Sequence, residues 1–194
     1  MLRTTLAAGV LLLLLAAPVL ATDYNLQKPH TQAEFVVTHL ALSKVHGQVP
    51  LASGTATIGA DGLPTAINAT FDVTSFGTGN SFRDADLRDH YFEVAKYPTI
   101  TFVETSVKGK PPAFTLIGNL TIHGVTKTVS IATTLDATLV SKGKRNYAYS
   151  GTTTFDRRDF GISFGPLLDG QLIAGDQVTV NFETDAEQCD PAGC

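Results

Sequence analysis

The sequence is poor in positive charge and has no concentrated basic segment. Lys and Arg together number 14 against 18 acidic residues, and the formal net charge is −4. Nucleic-acid binding depends on clustered cations that neutralise phosphates. The charge balance therefore argues against a nucleic-acid partner.

Signatures of catalysis and of metal binding are also missing. The chain has no Gly-x-Ser-x-Gly motif and no catalytic cysteine signature. Its histidines are His30, His39, His46, His90 and His123. They show neither the i, i+4 spacing of a helical zinc site nor a cysteine partner, and His46 and His123 are expected in turns. We expect no metal, no cofactor and no enzyme activity; an enzyme would have to draw its acid and base from His39, Arg83, Asp84 and Asp159.

Cysteine occurs only at Cys189 and Cys194, in a polar tail. Four intervening residues do not make a Cys-x-x-Cys redox motif. In an oxidising compartment the pair predicts a small terminal disulfide ring. An intermolecular bridge and a free tail are the alternatives.

The first 21 residues have the pattern of a secretory signal peptide. Arg3 precedes a leucine-rich apolar run. The run ends at the small residue Ala21, which is followed by the polar residues Thr22 and Asp23. The run is too short for a convincing membrane span, which needs roughly 20 predominantly apolar residues. We therefore expect export without stable membrane insertion. The remaining chain is divided into one domain over residues 22–186 and a polar tail over 187–194.

Short alternating or β-branched runs recur between Gly, Pro, Asn and Asp, which is typical of antiparallel strands. Eight strands are predicted, at about residues 32–39, 54–60, 65–75, 99–106, 113–122, 126–139, 147–156 and 176–184. Residues 83–96 predict one short helix, broken near His90. His123-Gly124 predicts a tight hairpin turn. The pattern fits either a sandwich with open edges or a closed barrel.

Four blocks of sequence stand out along the chain. The blocks are His30-Thr31-x-Ala33-x-Phe35-x-Val37-x-His39, Thr78-Gly79-Asn80-x-x-Arg83-Asp84 with its continuation Tyr91-Phe92-Glu93-Val94-x-Lys96-Tyr97-Pro98, Gly118-Asn119-Leu120-Thr121-Ile122-His123-Gly124, and Arg157-x-Asp159-Phe160-Gly161. Together they resemble the YceI-like family of periplasmic polyisoprenoid-binding proteins, occur in family order and span about residues 24–184. The chain departs from the family at Lys28-Pro29, where an acidic residue is usual, and at Asp156, where Asn is usual. It also lacks the Trp of true lipocalins.

The resemblance implies an all-β fold: an eight-stranded antiparallel lipocalin-like barrel with one short helical insertion after the signal peptide. It implies a periplasmic or secreted protein that carries or sequesters a long-chain isoprenoid or acyl lipid, such as a polyisoprenoid, quinone, fatty acid or derivative, inside the barrel. A homodimer is a further implication. The alternatives are a stress-response or interaction module with a solid core and a lipid-modifying enzyme.

Two groups of residues are the candidate binding site. The predicted apolar cavity residues are Phe35, Val37, Ile58, Phe71, Val73, Ile100, Phe102, Leu116, Leu120, Ile131, Phe155, Val178 and Val180. Small residues on the same faces, Ala33, Ala56, Ala69 and Gly118, are consistent with unfilled space. The predicted polar end consists of His39, Arg83, Asp84 and Arg157, for which a structural clamp is the competing interpretation.

The signal peptide predicts that the exported protein begins at Thr22. Signal peptidase removes the segment up to a small residue, here Ala21. N-terminal sequencing of protein recovered from the bacterial periplasm should read Thr-Asp-Tyr-Asn. A mature protein that still begins at Met1 would contradict the prediction.

Overall fold

The computed structural model describes residues 21–164 and 174–194. Within these ranges the chain forms nine strands: β1 (Thr22–Leu26), β2 (Gln32–His39), β3 (Ser43–Ile58), β4 (Pro64–Asp72), β5 (Thr99–Lys110), β6 (Ala113–Ile122), β7 (Val125–Ser141), β8 (Lys144–Asp156) and β9 (Ala174–Gln188). Helix α1 (Ser81–Asp86) continues into a π-helical turn, Leu87–Tyr91. Single 3-10 turns lie at Lys28–His30, Val73–Ser75 and Arg157–Phe160.

The strands close into a barrel in which every pairing is antiparallel. Each strand from β2 to β9 pairs with the next, and β9 also pairs with β2, so the sheet has no open end. Strand β1 pairs with the end of β3 and the end of β9. Both β1 and β2 lie between β3 and β9, one after the other along the length of these strands. The nine strands therefore form a barrel that is eight strands around. The predicted eight-stranded antiparallel barrel is confirmed.

Sequence prediction failed at two strands beside this gap. Strand β1 was not predicted because its alternating run is only five residues long and Tyr24 alone is fully buried in it. Strand β3 begins at Ser43 rather than near residue 54, and His46 lies inside it rather than in a turn. Gly47 and Pro50 are residue types typical of turns, so this part of the sequence did not predict a strand. Over Ser43–Pro50, β3 has a strand partner on only one side, where a proline is tolerated.

The connection between β4 and β5 differs from its prediction in its limits. The helical stretch runs from Ser81 to Tyr91 instead of 83–96. Asn80 caps its start, with its side-chain oxygen accepting the backbone N–H of Arg83 at 3.1 Å. Glu93 has a positive φ of 44°, so the helix cannot continue through it.

The predicted hairpin at His123-Gly124 is present and joins β6 to β7. Residues 1–20 of the predicted signal peptide lie outside the described residues, so its cleavage stays a prediction.

Three phenylalanine rings lie flat against the inner wall of the barrel, each over a glycine of a nearby strand. The pairs are Phe35 over Gly47, Phe102 over Gly118 and Phe182 over Gly151. A methyl group on Gly118 would lie 2.5 Å from the Phe102 ring and 2.6 Å from the Val103 carbonyl oxygen. The room above Gly118 is therefore filled by a ring rather than empty. Rings that lie against the wall extend less far toward the barrel axis than rings that point inward.

Substitution of Gly118 by alanine should lower the free energy of unfolding by about 1–3 kcal/mol, because both the ring and a backbone carbonyl must shift. Gly77→Ala is the matched control: the added methyl would meet only a carboxylate oxygen of Asp84, at an ordinary 3.8 Å. Its effect should be near zero. Urea unfolding measures both, and equal effects of the two substitutions would contradict the packing account.

Candidate functional site

The barrel encloses a cavity of about 470 Å³, within the range of pockets that bind small molecules. Its wall is built from alternate residues of the strands, because every second side chain points inward. Each predicted cavity residue lies on this wall: Phe35, Val37, Ile58, Phe71, Val73, Ile100, Phe102, Leu116, Leu120, Ile131, Phe155, Val178 and Val180. Ala33, Ala56 and Ala69 also line it. The structure thus brings the apolar set together around one space.

One end of the cavity is closed by tyrosines, and we call it the blind end. Tyr149 lines the cavity and its hydroxyl donates to the Gly62 carbonyl at 2.9 Å. Tyr147 and Tyr24 pack behind it with ring centroids 5.4 Å apart, and all three are buried. Burial raises the pKa of Tyr149 far above its ordinary value, so its hydroxyl stays protonated and donating. The blind end is therefore closed by neutral tyrosine hydroxyls on the cavity side, and the Arg145 guanidinium donates to the Tyr147 hydroxyl at 3.4 Å.

The opposite end, which we call the mouth, carries the charged and exposed residues of the wall. Thr38 and Asp86 are the lining residues with high exposure, and His39 and Arg83 lie beside them on the wall. Topology explains this grouping, since the β2–β3 turn and the β4–β5 connection with α1 both lie at this end. The cavity therefore presents an apolar interior with a polar opening.

Two predicted polar residues meet through Thr78 rather than with each other. The Arg83 Nε donates to the Thr78 hydroxyl oxygen at 2.8 Å, and Nη2 donates to the Thr78 carbonyl at 3.0 Å. Asp84 accepts the Thr78 backbone N–H at 2.9 Å and its hydroxyl as well. Asp84 is buried and absent from the cavity wall, whereas Arg83 lines it. Among described residues, no carboxylate forms a salt bridge with Arg83, so its Nη1 remains available at the mouth.

Arg157 is buried at the same end and holds two chain segments together. Its Nη1 donates to the Ile162 carbonyl at 2.7 Å, and its Nε donates to the Gly175 carbonyl at 3.2 Å. Its Nη2 pairs with Asp176 at 2.8 Å, and the guanidinium stacks over Phe164. Arg157 does line the cavity, but this geometry makes it the clamp at the start of β9.

Hydroxyl side chains inside the cavity are a feature that sequence reasoning missed. Thr133 donates to the Ile131 carbonyl at 3.1 Å and Thr153 to the Ser130 carbonyl at 2.9 Å. Thr31 and Thr184 also line the cavity and bond to each other. The alternation of inward and outward residues along each strand could have placed these threonines on the inner face. Across the described chain, no buried side-chain nitrogen or oxygen lacks a hydrogen-bond partner.

The remaining candidate features lie apart from the mouth. Cys189 and Cys194 form a disulfide with Cα atoms 4.9 Å apart, and the Cys189 N–H donates to the carbonyl of Asp23 in β1 at 2.9 Å. In residues 21–164 and 174–194, no cluster of His, Cys, Asp or Glu has the makings of a metal site. No helix in the same ranges is long and apolar enough to cross a membrane.

Comparison with known proteins identifies what the chain is similar to. Residues 24–186 match the YceI-like domain family. A UPF0312 protein of Pseudomonas savastanoi pv. phaseolicola is 36% identical over 197 residues, covering 94% of this chain and 97% of the relative. A UPF0312 protein of Pseudomonas aeruginosa is 34% identical and covers 84% of this chain and 88% of the relative.

Solved structures show the same fold. BcnA of Burkholderia cenocepacia superposes with a TM-score of 0.70 at 19% identity, covering 82% of this chain and 98% of that one. A polyisoprenoid binding domain from Saccharophagus degradans gives 0.66 at 16% identity, covering 87% and 99%. The YCEI protein of Campylobacter jejuni gives 0.65 at 25% identity, covering 78% and 90%.

The clamp predicts a large loss of stability when Arg157 is replaced by methionine. The substitution leaves the Ile162 and Gly175 carbonyls without their donor and takes from Asp176 its buried partner. The free energy of unfolding should fall by about 2–4 kcal/mol. Arg158→Met is the matched control, because Arg158 is half exposed and its guanidinium pairs with the same Asp176, at 3.1 Å, as well as with Asp156. It should cost less than about 1 kcal/mol. Thermal and urea unfolding measure both, and a smaller loss for Arg157→Met than for Arg158→Met would refute the clamp.

Proposed function

Because the chain belongs to the YceI-like domain family, we propose that its barrel binds one long apolar amphiphile and carries or sequesters it outside the cytoplasm. The ligand class is a polyisoprenoid, quinone, fatty acid or derivative. Its chain lies in the cavity and its polar end stays at the mouth. The observation that carries the proposal is the open cavity, whose wall is almost wholly apolar between the mouth and the blind end.

Burial of the chain is the driving force in this proposal. Each CH₂ group moved out of water contributes about 0.8 kcal/mol, in rough proportion to area. The closed barrel supports tight binding because a preformed cavity removes much of the ordering cost. No chemical step is required. The Saccharophagus degradans neighbour, described as a polyisoprenoid binding domain, supports this ligand class, although the likeness itself is one of fold.

Recognition of the polar end falls to Arg83 and His39 in this proposal. Both residues line the cavity near the mouth. The Nε and Nη2 of Arg83 bond to Thr78, and its Nη1 is not paired with a carboxylate of any described residue. Asp84 supports Arg83 indirectly by fixing Thr78, and Arg157 supports the mouth by clamping β9. An oxygen-bearing head group would accept from the guanidinium. The predicted signal peptide supports a place of action in the periplasm, where a free lipid chain is poorly soluble.

Filling the cavity should weaken lipid binding without unfolding the protein. Ala33 faces the cavity between Val49 and Phe182, whereas Val36 on the same strand faces outward. Ala33→Phe should weaken binding of hexadecanoate and geranylgeraniol at least about ten-fold, or 1.4 kcal/mol. Val36→Phe, the matched control, should bind like the wild type. Isothermal titration calorimetry measures affinity, and thermal unfolding verifies that each variant folds.

Ala69→Leu is a second filling variant on a different strand, should Ala33→Phe fail to fold. Wild-type protein that takes up neither lipid would refute the proposal in favour of a solid interaction module. Unchanged binding in folded Ala33→Phe and Ala69→Leu would refute the cavity as the site. Conversion of either lipid to a product of different mass would show an enzyme instead.

A further inference from the structure

Two threonines near the blind end form a hydroxyl pair inside the cavity. Thr31 immediately precedes β2 and Thr184 lies on β9, and their side-chain oxygens are 2.7 Å apart. Thr31 is 6% exposed and Thr184 is 9% exposed, so both are more than nine-tenths buried. Both line the cavity wall. The pair is therefore a polar spot within an apolar interior.

The pair can donate one more hydrogen bond than it makes. Two hydroxyls carry two hydrogens, and only one of these can lie between the two oxygens. The second hydrogen has no acceptor among the residues that the structure describes. Thr133 and Thr153 differ, because each donates its single hydrogen to a backbone carbonyl. A spare donor thus remains at one place on the wall.

The spare donor lies deep in the cavity. Thr184 is paired with Tyr149, the residue that closes the blind end. His39 at the mouth lies eight positions after Thr31, or about 26 Å along the strand at ~3.3 Å per residue. A strand tilt near 40° reduces this to roughly 20 Å along the barrel axis. That is about the length of an extended sixteen-carbon chain.

We propose that the Thr31–Thr184 pair is a subsite for a neutral oxygen atom at the inner end of the bound chain, such as a hydroxyl or carbonyl oxygen. This inference rests on the proposed function and narrows its ligand class. A purely hydrocarbon end would leave the buried donor without a partner, which is unfavourable. A charged end is excluded from this depth because burying an unpaired charge costs far more than burying a neutral group.

The test compares hexadecanoate with 16-hydroxyhexadecanoate. Their carboxylates stay at the mouth, and they differ only at the inner end. The dissociation constants of the two acids for wild-type protein should lie within about three-fold of each other. The hydrogen bond to the subsite replaces the hydrogen bond to water that the hydroxyl gives up on binding. In Thr31→Val/Thr184→Val the hydroxy acid should bind at least about ten-fold more weakly than hexadecanoate. Displacement of a fluorescent fatty-acid analogue measures both affinities.

The double variant keeps the shape of both side chains and removes both partners together, a change that stability tolerates well. Thr133→Val is the matched control, since its hydroxyl already donates within the protein, and it should keep the wild-type ratio. An unchanged ratio in the double variant, with hexadecanoate still bound, would overturn the subsite alone. Failure of wild-type protein to bind either acid would overturn the proposed function and the subsite together.

Discussion

Pairing of β9 with β2 and β8 is the contact on which the rest of the structure depends. It joins the last strand to the first long one, so the sheet closes and every inward side chain faces one common space. Closure also removes the open edges that invite aggregation. Arg157 fixes the start of β9 through Gly175 and Asp176, and the Cys189–Cys194 ring follows its end. Both ends of the closing strand are thereby held.

A closed eight-stranded barrel can be filled by side chains or can hold one small ligand, and this barrel encloses a cavity. The rings of Phe35, Phe102 and Phe182 lie against the wall because glycine faces each of them. Tyrosines close one end with hydrogen bonds to the β3–β4 loop, whereas the mouth collects the charged groups. Under the proposed function, an asymmetric tube of this kind would give an amphiphile a single favoured direction.

Much of the fold could be predicted because period-two alternation reports directly on which face of a strand is buried. It failed where that signal is weak: β1 buries only Tyr24, and the first half of β3 contains Gly47 and Pro50. The inward apolar positions followed from the same alternation, whereas closure into a barrel with a cavity was implied by the resemblance to the YceI-like family. The polar contacts followed from neither, because bonds such as Asp84 to Thr78, or Thr31 to Thr184 across 153 residues, depend on tertiary geometry that no local pattern encodes.

If the cavity holds a lipid chain, protein isolated from its native compartment should carry one. Native mass spectrometry of that protein, followed by solvent extraction and mass analysis of the extract, reports on the occupant. The account predicts an added mass that corresponds to one long-chain amphiphile per barrel and disappears on extraction. A clean apo mass that persists after incubation with prenyl and acyl lipids would contradict it.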